Sequence, residues 1–220
     1  MYTDTPEQML KEFRVRTGDN IAPYFWSDRE IFSYMSEGES VVAQRTLCIQ
    51  DMSTDAARYE VFAGEADIAI FPSILRIRGA VWVENGQECY LEIDSLDAAI
   101  AQGVRLFSTS GRPRVLYTGS TNARLYPTPE TAGELRLVIY RLPLSELECG
   151  KRFEVPHQLR PAIMEWMKFL AFKKNDAETF NRETSEQSLN AFEYLIDGYT
   201  TSESQRRNGP QNISTGYGGL

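Results

Sequence analysis

The 220-residue sequence predicts an α+β fold: a helical bundle core of two N-terminal and two C-terminal helices, interrupted by an inserted antiparallel β-domain and followed by an extended C-terminal tail. Three observations carry this. Apolar residues recur at helical spacing within 27–51 and 159–171, whereas between residues 58 and 141 apolar and polar residues alternate, the period of strands. The stretch 200–220 holds four glycines, a proline and few apolar side chains, too little to offset the entropy of folding by burial within the chain. The boundaries fall at 1–55, 56–146, 147–199 and 200–220. A single sheet carrying all four helices on one face satisfies the same periodicities, so both arrangements stay open at this point.

The first helix starts at Thr5-Pro6-Glu7, an N-cap with proline at the first helical position, buries Met9, Leu10 and Phe13, and stops at Gly18. The second is announced by a capping box, Ser27 with Glu30, behind Trp26, whose ring can pack toward Ile31. Its apolar positions run through Val41, Val42, Cys48 and Ile49, which predicts a helix to about Asp51. Gly38 weakens it by about 1 kcal/mol relative to alanine unless another helix packs closely there; a surface glycine is the other reading.

Strands are predicted over YEVFAG, DIAIF, ILRIRGAVWVENGQECYLEI, PRVLYTG, ARLYP and ELRLVIYRL. Asn85-Gly86 marks a two-residue hairpin, since both central residues of a type I′ turn need positive φ. That loop sets Glu84 opposite Gln87 and Trp82 opposite Cys89, which puts Trp82, Cys89, Leu91 and Ile93 on one face, the predicted core side. Residues 97–102 suit one short helical turn. After Pro143 the helical period returns: Leu159, Ile163, Trp166, Met167, Leu170 and Ala171 form a stripe, with Pro161 forcing a distorted first turn at 156–160. Asp176 is the predicted cap of a last helix carrying Phe180, Phe192, Leu195 and Ile196, whose polar middle needs a partner.

The reactive inventory is small. The net charge of −8 argues against nonspecific wrapping of nucleic acid, and residues 1–55 account for −5 of it. The single histidine, His157, beside Pro156 at a helix start, reads as a cap or structural partner. Cys48, Cys89 and Cys149 lack the CxxC spacing of zinc or redox sites and read as buried, reduced thiols. No phosphate loop, dinucleotide fingerprint, HExxH, calcium loop or serine triad order occurs, so no catalytic residue, metal or cofactor is assigned. The N-terminal stretch lacks the basic and apolar regions of a secretion signal, and no apolar run approaches membrane-spanning length, so no membrane association is expected. Glu92, Asp94 and Asp97 could line a sugar-hydrolase or calcium site, and equally could be solvated acids where a strand ends. With Trp82 and Tyr90 they define an alternative function, a carbohydrate-binding or carbohydrate-cleaving β-domain on a helical support. Its discriminator is facing: a Trp82 buried with Leu91 and Ile93 cannot stack on a sugar. In the tail, Arg206, Arg207, Tyr217 and Leu220 are groups that a partner could use.

In order along the chain, FWSDREIFSYMSEGESVVAQRTLCIQD, GRPRVLYTG, RLYPTPETAGELRLVIYRLPL and FEVPHQLRPAIMEWMKFLAF resemble the head-to-tail adaptor (connector) proteins of tailed bacteriophages, particularly those of short-tailed phages. The resemblance spans roughly residues 24 to 200, and its strongest pieces are the turn around Pro127 and Pro129, Leu142-Pro143-Leu144, and Glu154-Val155-Pro156-His157 leading to Trp166. Pro161 departs from an uninterrupted helix after Pro156. The resemblance implies a non-enzymatic virion protein of the phage neck, assembled in the host cytoplasm. It implies a helical core with an inserted β-domain, a ring of twelve copies between the portal protein and the tail nozzle protein, and DNA passing through without sequence-specific binding. It also gives residues 200–220 a role, clasping the portal, and makes the acidic N-terminal region a candidate for the channel lumen or its rim. A cytoplasmic scaffold unrelated to phages is the remaining reading.

Overall fold

A computed structural model describes residues 5–174 and 179–208, with side chains through Arg206. The chain is α+β, with five α-helices and eight strands among the described residues. Its contacts divide it into a unit of residues 1–46 with 146–220 and a unit of residues 47–145.

The first unit is helical. Helix α1, Pro6–Thr17, has Thr5 as N-cap in a complete capping box with Gln8, and ends at Gly18, whose N–H returns to the carbonyls of Arg14 and Val15. Helix α2, Asp28–Thr46, starts from the Ser27–Glu30 box. It ends five residues before the expected Asp51. Leu47 turns the chain at φ 49°, and Gln50–Asp51 forms a short strand, β1. Strand pairing and burial of Asp51 win over the helical periodicity that Cys48 and Ile49 extend in the sequence. Residues 157–159 form a 3₁₀ turn ahead of α4, Arg160–Lys173, with proline in its first turn, as Pro161 requires. Helix α5, Arg182–Asn208, is 27 residues long. Asn181 caps it, its Oδ1 accepting the N–H of Thr184 at 3.0 Å. Asp176, the expected cap, lies outside the described residues, and Phe180 precedes the helix instead of riding on it.

Helices α2 and α4 form the central pair; α1 packs on both, and so does α5. The core contains Met9, Phe13, Trp26, Met35, Ile163, Met167 and Phe192, all nearly or fully buried. Two α2 side chains hold the strand-free segment that leads to α4. Ser36 Oγ accepts the N–H of Leu147 at 2.8 Å, and the buried Glu39 carboxylate accepts those of Glu154 and Val155 at 2.6 and 3.2 Å. Burial pushes Glu39 above the usual carboxylate range although both amides favour its charged form.

Gly38 sits where α2 crosses α4. A Cβ there would lie 3.1 Å from Ile163 Cγ2 and 3.3 Å from Trp166 Cδ1, so close helix packing is what the glycine permits. Gly38→Ala should be near neutral in a thermal melt, because about 1 kcal/mol of helix propensity offsets mild crowding. Gly38→Leu should cost about 1–3 kcal/mol through overpacking. Equal melting of the leucine variant and the parent would contradict this packing.

The second unit is a curled mixed sheet in the order β1-β8-β4-β5-β6-β7-β3, with β2 also pairing β8. The strands are β2 Arg58–Val61, β3 Asp67–Ala69, β4 Ile74–Glu84, β5 Gln87–Ser95, β6 Val115–Thr118, β7 Asn122–Tyr126 and β8 Gly133–Arg141. The expected all-antiparallel sheet is corrected at one place: β5 and β6 are parallel. Parallel neighbours need a crossover, and residues 96–114, with helix α3 at Leu96–Ala101, supply it. The hairpin register is as predicted, Trp82 opposite Cys89 and Glu84 opposite Gln87. Asn85 and Gly86 take φ of 50° and 76°. Trp82, Leu91, Leu116, Leu125, Leu135, Leu137 and Ile139 form the core, with Cys89 and Ile93 packed against it.

Candidate functional site

The residues singled out in the sequence divide into those that shape the fold and those that face outward. Ser27 and Glu30 exchange the reciprocal capping bonds at 2.9 and 3.3 Å. Glu30 also accepts Lys174 Nζ at 2.7 Å; this bond, with the Ser27 N–H, lowers its pKa to about 2. Trp26 is buried, its ring edge-on to Phe13 at 5.6 Å and to Phe172 at 5.7 Å. Trp166 packs against Phe192, ring centres 5.0 Å apart and planes tilted by 56°, and donates its Nε1–H to Glu37 at 3.3 Å. In the sheet unit Pro127 follows a cis peptide bond after Tyr126, and Pro129 is buried with its carbonyl accepting the N–H of Gly64.

The side chains of the carbohydrate reading do not converge. Trp82 is fully buried, its Nε1–H donated to Glu84 at 3.1 Å, while Tyr90 is 82% exposed on the other face of the sheet. Glu92, Asp94 and Asp97 are exposed at the end of β5 and the start of α3, Asp94 accepting the N–H of Ser95. Among the described residues no three His, Cys, Asp or Glu side chains are grouped to hold a metal ion. His157 opens the 3₁₀ turn before α4. The expected burial of the cysteines is corrected: Cys48 and Cys89 are half-buried, and Cys149, in the segment between the sheet and α4, is exposed. No described helix is long and apolar enough to cross a membrane.

The acidity of residues 1–55 is largely engaged within the fold. Asp19, Glu39 and Asp51 are buried. Glu12 and Asp28 bind Arg16 and Arg14, each at 2.5 Å. Glu7, held down to about 2 chiefly by the N–H of Gly150, accepts that bond, and Glu37 accepts Trp166. A concentration of negative charge in the sequence is thus not a free acidic face.

The last buried side chain of α5 is Ile196, yet the helix continues to Asn208, about three further turns with mostly exposed side chains. The extended tail expected from residue 200 is therefore helical through 208, propagated from the packed part and supported by the Glu203–Arg206 pair at 2.6 Å. Arg206 is exposed and Arg207 lies in the last turn; Tyr217 and Leu220 lie outside the described residues.

Sequence reasoning missed a second outward feature. After Gly18 the loop to Ser27 presents Ile21, Tyr24 and Phe25, between 49 and 78% exposed. Tyr24-Phe25-Trp26 reads as one aromatic run, and no local signal shows that the third residue turns inward while the first two turn out.

The outward features of the helical unit are an over-long helix and exposed apolar side chains, surfaces of the kind that an assembly protein presents to partners. That class is made specific by comparison. The chain belongs to the SU10 adaptor protein family, whose sequence model matches residues 5–214, and so is a structural head-to-tail adaptor of a tailed phage. No curated protein matches the sequence.

Proposed function

We propose that the protein forms a ring of twelve copies in the neck of a short-tailed phage, joining the portal to the tail nozzle, with DNA passing through the ring. In this reading the helical unit is the core and residues 47–145 are its inserted β-domain. The C-terminal segment, with Arg206, Arg207, Tyr217 and Leu220, reaches the portal. The observation that supports it is α5. A polar helix that outruns its own packing by about three turns is stabilised when a neighbouring chain covers it. The excess of acids, 31 against 23 bases, suits a conduit that lets DNA slide without holding it.

Mass measurement of the full chain and of a chain ending at Tyr199, each with and without purified portal, tests this. The full chain should form portal-bound assemblies in steps of 25.0 kDa, and the shortened chain should lose most of that binding. Portal binding undiminished by the truncation would remove the C-terminal segment from the contact. A full chain that stays monomeric in both conditions would end the ring reading.

A further inference from the structure

We propose that the helical unit carries both halves of a head-to-tail contact between copies of this chain: the loop of residues 18–27 of one copy seats Phe25 in the cleft between α4 and α5 of the next, with Ile21 against its rim. This rests on the ring reading and names the surfaces that would close the ring.

The loop is a preformed knob. The Asp19 carboxylate, almost completely buried, accepts the N–H of Phe25 at 2.7 Å and that of Trp26 at 3.5 Å. Arg14 binds Asp19 at 2.6 Å, the Trp26 carbonyl at 3.0 Å and Asp28 at 2.5 Å, and its guanidinium lies 3.8 Å from the centre of the Tyr24 ring. A loop fixed in this way has little conformational freedom left to lose on binding. Singly exposed apolar residues are ordinary, but three large ones within five residues of a rigid loop make a patch suited to a protein partner.

The cleft is the matching hole. A cavity of about 290 Å³ opens between the last turn of α4 and the first turn of α5, lined by Phe169, Lys173, Phe180, Arg182, Ser185 and Glu186. Phe180, half exposed, stands at its lip. The cavity has room for a large apolar side chain. Lys173 and Arg182 are cations of the kind that settle against an aromatic face, and Lys173 Nζ already lies 5.0 Å from the Phe169 ring.

The placement of the two features identifies the occupant. Helices α1 and α5 each pack on the α2–α4 pair, with no comparable packing on one another. The loop continues α1, and the cleft is formed by α4 and α5. Both lie at the same end of the unit: Lys174 binds Glu30 at 2.7 Å, the Trp26 ring meets Phe172, and the N–H of Asn181 bonds the Phe172 carbonyl at 3.0 Å. A knob and a hole are two unlike surfaces carried by one chain, which is what a heterologous contact between copies requires, and a second copy supplies both.

The test uses the full chain with purified portal, read by native mass. Ile21→Ser with Phe25→Ser removes the knob and leaves the cleft; Phe180→Glu damages the cleft and leaves the knob. Neither variant alone should assemble, with copy-to-copy association weakened roughly tenfold or more. Mixed one to one they should give a dimer and stop, because one intact knob meets one intact cleft and no further pair remains. Thermal melts matching the parent show that both variants fold; if Phe180→Glu does not, Glu186→Trp, which covers the cleft from an exposed position, replaces it. Rings formed by both variants as by the parent, or mixtures that yield no dimer, overturn the proposal while the ring reading stands. A parent chain that forms no ring with portal overturns the ring reading and this contact with it.

Discussion

Arg14→Ala should destabilise the helical unit by about 3–5 kcal/mol, because it removes one member of a buried ion pair and leaves the other charged in a place without water. Asp19 is 1% exposed and Arg14 7%, so the pair lies in the regime where removing a partner is costly. One guanidinium also bonds the Trp26 carbonyl and Asp28, fastening the end of α1 to the start of α2, so several contacts fail together. At about 2–4 °C per kcal/mol for a chain of this size, the melting temperature should fall by roughly 10 °C. Arg14→Lys should recover only part of the loss, since an ammonium keeps the charge but cannot reach three partners with one planar fork. A loss below about 1 kcal/mol for the alanine variant would show that Asp19 is satisfied by the backbone amides of Phe25 and Trp26 alone.

The second large effect is in the sheet unit and depends on pH. Asp51 on β1 and Arg141 at the end of β8 meet at 2.6 Å and are both buried. Burial by itself would raise the Asp51 pKa. Hydrogen bonds from Thr54 Oγ1, the Ser53 and Thr54 amides and Arg141 outweigh it and hold the carboxyl well below its ordinary 3.8. With the folded value depressed, the unfolded chain takes up the proton first, so this stabilisation is complete above about pH 4 and declines as the pH falls below that. Asp51→Ala should cost about 3–5 kcal/mol at neutral pH and flatten the acid side of the stability profile, measured by urea melts between pH 2 and 7. Glu39 runs the other way: its pKa is raised, so its contribution decreases as pH rises through the carboxylate range. An Asp51→Ala variant with the parent's full acid slope would locate that slope in other carboxylates, such as Glu7 and Glu30, which are also held low.

Much of this fold is legible locally. Thr5-Pro6 and Ser27 with Glu30 place two helix starts to the residue, because a cap needs only a side-chain oxygen a few positions from an amide. Asn85-Gly86 fixes the hairpin and with it the facing of Trp82, because a two-residue turn leaves no freedom of register. That one inference is enough to take Trp82 out of a sugar-stacking role. The end of α2 is not legible, since Cys48 and Ile49 fit a helix as well as they fit the approach to a strand. The pairing of residues 50–51 with β8, about ninety residues later in the chain, decides it. The parallel pairing of β5 with β6 is hidden for the same reason.

The candidate assembly surfaces follow the same division. The order of motifs is enough to resemble the adaptor family that the chain belongs to, whereas the extent to which α5 packs on α4 and then outruns it is visible only in the fold. The charge of residues 1–55 misleads when read as a surface, because composition counts Asp19, Glu39 and Asp51 the same as solvated acids, although all three are buried in the fold.

By itself the sequence determined the helix starts, the hairpin and its core face, the poverty of catalytic groups and the family. Each depends on interactions within a few residues, or on the order of such segments. Only the tertiary structure decided where α2 stops, which acids are exposed, that Gly38 marks a helix crossing, and that Tyr24 and Phe25 face outward while Trp26 turns in. These depend on what lies across space from each residue, and burial is a property of the packed chain that no local pattern specifies.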